Sequence, residues 1–181
     1  MPRPFGLFTR KDPLFFCLRL LVLLPILTLL TLLPLFERLV EQPLIRFNAW
    51  LSWLILRCFG AHAALQGAVV HSSRFSMEVV SGCTGTFVFL LLLVSIVSCP
   101  AGWRMKLKGI LVGGAFIGIL NQVRLVTLFV IGNRLPGYFE EIHVYLWQGA
   151  VSVLVILYWY LWARRALVGL EPAGPHRPPR D

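Results

Sequence analysis

The sequence predicts an all-α integral membrane protein of about four transmembrane helices, with an amphipathic helix and a small extracytoplasmic β-hairpin on its outer face. Three observations carry this. The chain of 181 residues is 57% hydrophobic, only 14% charged, and has a mean hydropathy of +0.77. A soluble domain of that size cannot hide so much apolar surface, so lipid is part of its solvent. Apolar runs fall at about 14–36, 84–99, 109–131 and 144–163. Basic residues gather between and beyond these runs in a pattern that a membrane topology explains.

Residues 1–11 form a short basic head with Arg3, Arg10 and Lys11. The run 14–36 spans a hydrocarbon core of about 30 Å at a rise of about 1.5 Å per residue. It is too long for a signal-peptide core and no small-residue cleavage site follows, so it reads as a retained anchor. Pro25 and Pro34 are expected to bend or end it, since proline lacks a donor and clashes one turn back. Arg19 lies near its basic end and can snorkel to headgroups.

From 37 to 59 charged residues punctuate apolar ones at helical spacing. Leu44, Phe47, Leu51, Leu54 and Ile55 fall on one face, flanked by Trp50 and Trp53. This reads as an interfacial amphipathic helix. A span from about 50 to 65 is the competing reading, against which Arg57 and His62 count. Residues 64–80 are the one strand-like stretch. Phe75, Met77 and Val79 alternate with Ser76 and Glu78, and His71-Ser72-Ser73-Arg74 reads as a hairpin turn. In the run 109–131, Gly113, Gly114, Ala115 and Gly118 offer a close-packing face to a neighbouring span. Residues 1–170 are expected to form a single membrane-embedded domain, followed by a disordered, Pro- and Arg-rich cytoplasmic tail over 171–181.

Charge then sets the orientation. With 1–11, 102–108 and 164–181 on the cytoplasmic side, that side collects Arg3, Arg10, Lys11, Arg104, Lys106, Lys108, Arg164, Arg165, Arg177 and Arg180, with Arg19 just inside the membrane. Only Asp12, Glu171 and Asp181 oppose them there. The positive-inside rule therefore selects both termini cytoplasmic. The net charge of +9 is then topology and contact with the lipid bilayer, not nucleic-acid binding.

This topology puts a thiol, a guanidinium and an imidazole at one membrane level on the outer side. Cys83 is expected to open a helix, where partial positive charge favours thiolate, with Gly82 and Gly85 allowing a sharp entry and a bare backbone. The plainer reading of Cys83 is a small buried hydrophobe. Cys17 and Cys99 read as packing, and Cys58 is placed where a bridge to Cys83 is open to it. No Cys-x-x-Cys spacing marks a metal. Arg124 lies about 10 Å below the outer surface, a costly depth for a guanidinium, so it is a functional residue by default. Asn121, one turn earlier, is placed to orient it or a substrate carbonyl. His143 heads the next span, with Glu140 one turn earlier to set its tautomer. The plainer readings are an Arg124 that snorkels to the outer headgroups and a His143 that is an interfacial histidine with no task.

Ser81-Gly82-Cys83-Thr84-Gly85, Asn121-Gln122-Val123-Arg124 and the isolated His143 resemble the signature of the exosortase/archaeosortase family. The resemblance runs from about 79 to 149. The short chain looks like a compact sub-type such as exosortase H, and Thr84 stands where that family commonly has serine. The resemblance implies a membrane cysteine transpeptidase or protease of the bacterial inner membrane, acting on the periplasmic side. Its implied partners are membrane-anchored proteins with a C-terminal sorting signal of motif, transmembrane helix and basic cluster. Cys83, Arg124 and His143 are the implied catalytic set, with Asn121, Gly82, Gly85, Thr84 and Glu140 in support, and no metal or organic cofactor. The rival readings are a non-catalytic scaffold or small permease, and a purely hydrolytic intramembrane cysteine protease.

Overall fold

The structure is a computed structural model that describes residues 12–168, so the basic head and the 171–181 tail lie outside the described residues. The first helix, α1 (Asp12–Thr31), keeps Pro25 inside it. Pro34 ends the run. Leu33 before it is extended, at φ −72° and ψ 134°, as the residue preceding a proline prefers, and Pro34 then opens the next helix. That helix, α2, covers 34–58. It passes through one wide π-type turn at Glu37–Glu41 before continuing as Gln42–Cys58.

The strand-like stretch folds into a three-stranded antiparallel sheet, not a lone hairpin. The order is β1 (Ala64–Gln66), β2 (Val69–His71), β3 (Ser76–Glu78). The expected turn after His71 is present, closed by Ser72 N–H to the Phe75 carbonyl at 2.8 Å. The additional strand β1 returns through Gly67-Ala68. Gly67 sits at φ +62° and Ala68 at negative φ, a two-residue turn that matches strand twist. Along the last strand the alternation holds, with Met77 and Val79 buried between exposed Ser76, Glu78 and Val80.

A one-turn 3-10 helix, Ser81–Cys83, leads to α3 (Thr86–Ser98), then α4 (Trp103–Arg134). After a second 3-10 turn at Pro136–Tyr138 the last helix, α5, covers 139–168, with a wide π-type turn at Ile142–Trp147. Among the described residues, three helical stretches are long and apolar enough to cross a membrane: Leu14–Thr31, Trp103–Arg134 and Pro136–Ala166. The expected fourth span is only the 13-residue α3, about 20 Å long, so length alone does not carry it across.

The helices after the sheet pack antiparallel, and glycines set how closely. A Cβ on Gly109 would lie 2.3 Å from the Trp162 indole, and one on Gly113 would lie 2.5 Å from Leu92. The small-residue face of α4 thus packs on both α3 and α5. At this end Lys106 Nζ donates to the Val97 carbonyl at 2.7 Å, capping the last turn of α3. The Trp162 indole donates to the Met105 carbonyl at 3.3 Å. Cys83, Arg124 and His143 lie towards the opposite end.

The face of α2 that packs on the rest of the protein is not its apolar stripe. Leu44, Phe47, Leu51, Leu54 and Ile55 are half-buried or exposed, whereas Glu41, Ile45, Asn48, Ala49, Ser52 and Leu56 are buried. The polar members of that inner face find hydrogen-bond partners in the protein, as buried polar groups must. The apolar stripe needs no partner in a bilayer.

Candidate active site

Arg124 and His143 meet. Arg124 Nη2 lies 2.7 Å from His143 Nε2, joining α4 to the wide turn of α5. A guanidinium can only donate, so Nε2 accepts and the ring carries its proton on Nδ1. A π-type turn is an extra residue in a helix, found often at functional sites because it re-aims a side chain. Phe139 packs on the imidazole at 5.7 Å between ring centres, and Phe75 packs on Phe139 at 5.2 Å. The sheet therefore backs the histidine through two aromatic rings. Arg124 Nε is buried and, among the described residues, has no hydrogen-bond partner.

Cys83 does not open the helix itself. It ends the one-turn 3-10 helix, and α3 begins at Thr86 after Gly85 at φ +80°. A left-handed backbone there favours glycine, as the sequence reading of Gly85 expects. Gly82 has no such need: its φ is negative and a Cβ there would meet open space. Cys83 is 8% exposed and packs in one buried cluster with Leu125, Leu128 and Phe129 of α4. Among the described residues its thiol makes no hydrogen bond. Its carbonyl does, accepting from Asn121 Nδ2 at 2.7 Å. Asn121 thus ties the Cys83 turn to α4 one turn before Arg124; among the described residues it makes no hydrogen bond to the guanidinium. All four cysteines are free, so Cys83 and Cys58 form no bridge.

Thr84 is a hydrogen-bond hub. Its hydroxyl lies 2.7 Å from the Ser81 carbonyl, 2.8 Å from Thr86 Oγ1 and 3.2 Å from Glu41 Oε2. Glu41, at the end of the first wide turn, is 8% exposed. Glu140 is exposed and makes no hydrogen bond to His143 among the described residues. The imidazole's tautomer is set from the other side, by Arg124.

Buried polar residues to which the sequence reading gave no role include Asn48 and Ser52 on α2 and Gln122 on α4. Gln122 carried a signal, since a second amide beside Asn121 in an apolar run must find a partner. Between α2, α3 and α4 runs an apolar groove of about 900 Å³, walled by residues such as Phe47, Leu51, Gly118 and Val123. It reaches Thr84 and Gly85 at the site.

Long lipid-compatible helices around a polar, partly buried end define a helical multi-pass membrane protein. The chain belongs to the exosortase family: the model of the transmembrane exosortase family matches residues 16–158. The match includes α1, α2 and the sheet as well as the segments that hold Cys83, Arg124 and His143. No curated protein and no solved structure matches the chain.

Proposed function

We propose that this protein is a membrane cysteine transpeptidase. It cleaves the C-terminal sorting signal of exported membrane-anchored proteins and passes the acyl group to an acceptor. The carrying observation is the 2.7 Å contact of Arg124 and His143 at the end of the bundle where Asn121 holds Cys83. Membership of the exosortase family supports the same reading. The site faces the periplasm of a bacterial inner membrane, with both termini cytoplasmic, and residues 1–170 form one embedded domain. The apolar groove beside Thr84 and Gly85 gives the substrate's own membrane helix a place to lie.

The chemistry follows from which atoms are free. His143 Nε2 is the basic nitrogen; once Arg124 turns from it to the substrate carbonyl, its lone pair takes the proton of the Cys83 thiol. The protonated ring no longer accepts from Arg124, so the guanidinium stays on the developing oxyanion. The thiolate attacks the scissile carbonyl, and Arg124 stabilises the tetrahedral oxygen with Nη2 and the unpartnered Nε. The C–N bond breaks, the leaving amine takes the proton from His143, and a thioester remains on Cys83. An acceptor amine, hydroxyl or water then gives its proton to His143, attacks the thioester and frees the thiolate.

The test is co-expression with a membrane-anchored substrate carrying a motif–helix–basic tail. Cys83→Ala and Cys83→Ser leave the tail uncleaved, while Cys17→Ala, Cys58→Ala and Cys99→Ala process it normally. Normal processing by Cys83→Ala returns the chain to a scaffold or permease.

A further inference from the structure

We propose that Asn48, on α2 and outside the catalytic set, is a positioning residue for Cys83. The inference rests on Cys83 being the nucleophile. Asn48 Oδ1 accepts from Asn121 Nδ2 at 3.0 Å and from Gln122 Nε2 at 2.6 Å. Its own Nδ2 donates to the Leu44 carbonyl one turn back at 2.8 Å. Gln122 Oε1 in turn accepts from Ser52 Oγ at 2.9 Å. Asn48, Asn121, Gln122 and Ser52 are all at most 8% exposed.

The inventory of donors and acceptors leaves one arrangement. Both protons of the Asn121 amide are used, one on Asn48 Oδ1 and one on the Cys83 carbonyl. Turning the Asn121 amide over would set its oxygen against two other oxygens. Both lone pairs of Asn48 Oδ1 are used as well, by two amides adjacent in sequence on α4. A buried network in which every member is satisfied specifies a single geometry, and one missing member leaves the rest unpaired. Asn48 therefore fixes the orientation of Asn121, Asn121 fixes the Cys83 backbone, and both fix the 81–85 turn against the helix that carries Arg124. The three residues after Asn121 make one helical turn, so the thiol turn and the guanidinium are referenced to the same backbone. A polar face on α2 that would otherwise be a defect in a bilayer has this task.

The test separates positioning from mere helix packing. Asn48→Leu keeps the branched outline and the number of heavy atoms, though it is bulkier, and removes the acceptor. It is expected to lower kcat for substrate-tail cleavage about 100-fold, the scale of a misplacement of about 1 Å at a reacting group, with KM changed less than about threefold. Asn48→Asp, as the neutral acid, keeps an oxygen for both amides and an O–H for the Leu44 carbonyl, and is expected to recover kcat to within about tenfold of wild type. Asn48→Ala, small and helix-compatible, is measured alongside should Asn48→Leu fail to insert, and it is expected to lose kcat as Asn48→Leu does. The rate at which iodoacetamide alkylates Cys83 in a Cys17→Ala, Cys58→Ala, Cys99→Ala background is followed across pH, a readout that packing alone does not move. Its profile shifts in Asn48→Ala and returns in Asn48→Asp. Wild-type kcat and an unchanged alkylation profile in Asn48→Ala, with Cys83→Ala inactive, overturn the positioning role and leave the transpeptidase reading standing. Full activity in Cys83→Ala removes the transpeptidase reading and this inference with it.

Discussion

At the residue scale the chain concentrates cost where it concentrates chemistry. Arg124 sits on a helix whose neighbours are Val123 and Leu125, and it spends one nitrogen on His143 and leaves Nε without a partner. A planar fork with two usable edges suits a developing oxyanion better than a point charge. Arg124→Lys and Arg124→Ala are both expected to insert normally and to process substrate at least about 100-fold more slowly, the scale of losing an oxyanion donor. Full activity in Arg124→Lys, read as cleaved substrate on a gel, reduces the residue to a positive charge and favours a solute-binding role. These residues were legible because a guanidinium, an imidazole and a glycine-flanked thiol are conspicuous beside long apolar runs. Asn48 and Ser52 were not, because amides and hydroxyls between Arg46 and Arg57 look like the wet side of a surface helix. Only the pairing of Asn48 with Asn121 and Gln122 on a distant segment shows that face to be the inner one. Glu140 was assigned by sequence spacing alone, and spacing does not reveal which neighbour reaches the imidazole first.

At the scale of elements, the sheet braces the C-terminal end of α4. Ser72 Oγ donates to Asn133 Oδ1 at 2.5 Å, and Phe75 packs edge-on against Phe129 with ring centres 5.9 Å apart. The close approach needs a glycine: a Cβ on Gly132 would lie 2.3 Å from the Phe75 ring. Gly132→Ala is therefore expected to destabilise the protein by about 1–3 kcal/mol, the usual cost of overpacking. Gly118→Ala, whose Cβ meets nothing within 4 Å, is expected to be neutral or stabilising by up to about 1 kcal/mol. Thermal unfolding in detergent measures both. Equal midpoints for the two variants would show that the sheet does not bear on α4. The hairpin of β2 and β3 was readable from alternation, since each residue faces one side of a pleat. The strand β1 was not, because Ala64-Leu65-Gln66 is too short to alternate visibly, although Gly67-Ala68 is a turn signal in hindsight. The two wide turns, which place Glu41 and His143, leave no composition signal at all.

At the scale of the whole molecule, the excess of positive charge lies at the end opposite the site, where cations and acids nearly balance. Arg104, Lys106, Lys108, Arg164 and Arg165 lie at or near the turn between α3 and α4 and the last turns of α5, away from Arg124 and His143. The positive-inside rule converts that separation into a direction. In a background with all native cysteines replaced by alanine, Ser73→Cys and Gly137→Cys are expected to react with an impermeant maleimide in intact cells, and Arg104→Cys only after lysis. The reverse pattern inverts the topology and removes the extracytoplasmic site. Hydropathy made three of the helices legible along their full crossing length. The run 84–99 is the shortest of the four, and α3 is bounded by Gly85 at φ +80° on one side and Pro100 on the other, so a crossing there needs a thinned or tilted bilayer.

The central claim is a covalent bond between the Cys83 sulfur and the substrate acyl group. Mass spectrometry of the acid-quenched wild type and of His143→Ala, each co-expressed with a sorting-tail substrate, measures it directly. Acid preserves a thioester while stopping attack by an acceptor amine. In His143→Ala acylation and release are both slow, so the adduct that forms has no base to assist its loss. A peptide containing Cys83 is expected to carry the mass of the cleaved substrate's new C-terminus, and hydroxylamine, which breaks thioesters, is expected to remove it. Cleaved substrate with Cys83 unmodified in every trapping variant, and with Cys83→Ala still active, would contradict the account.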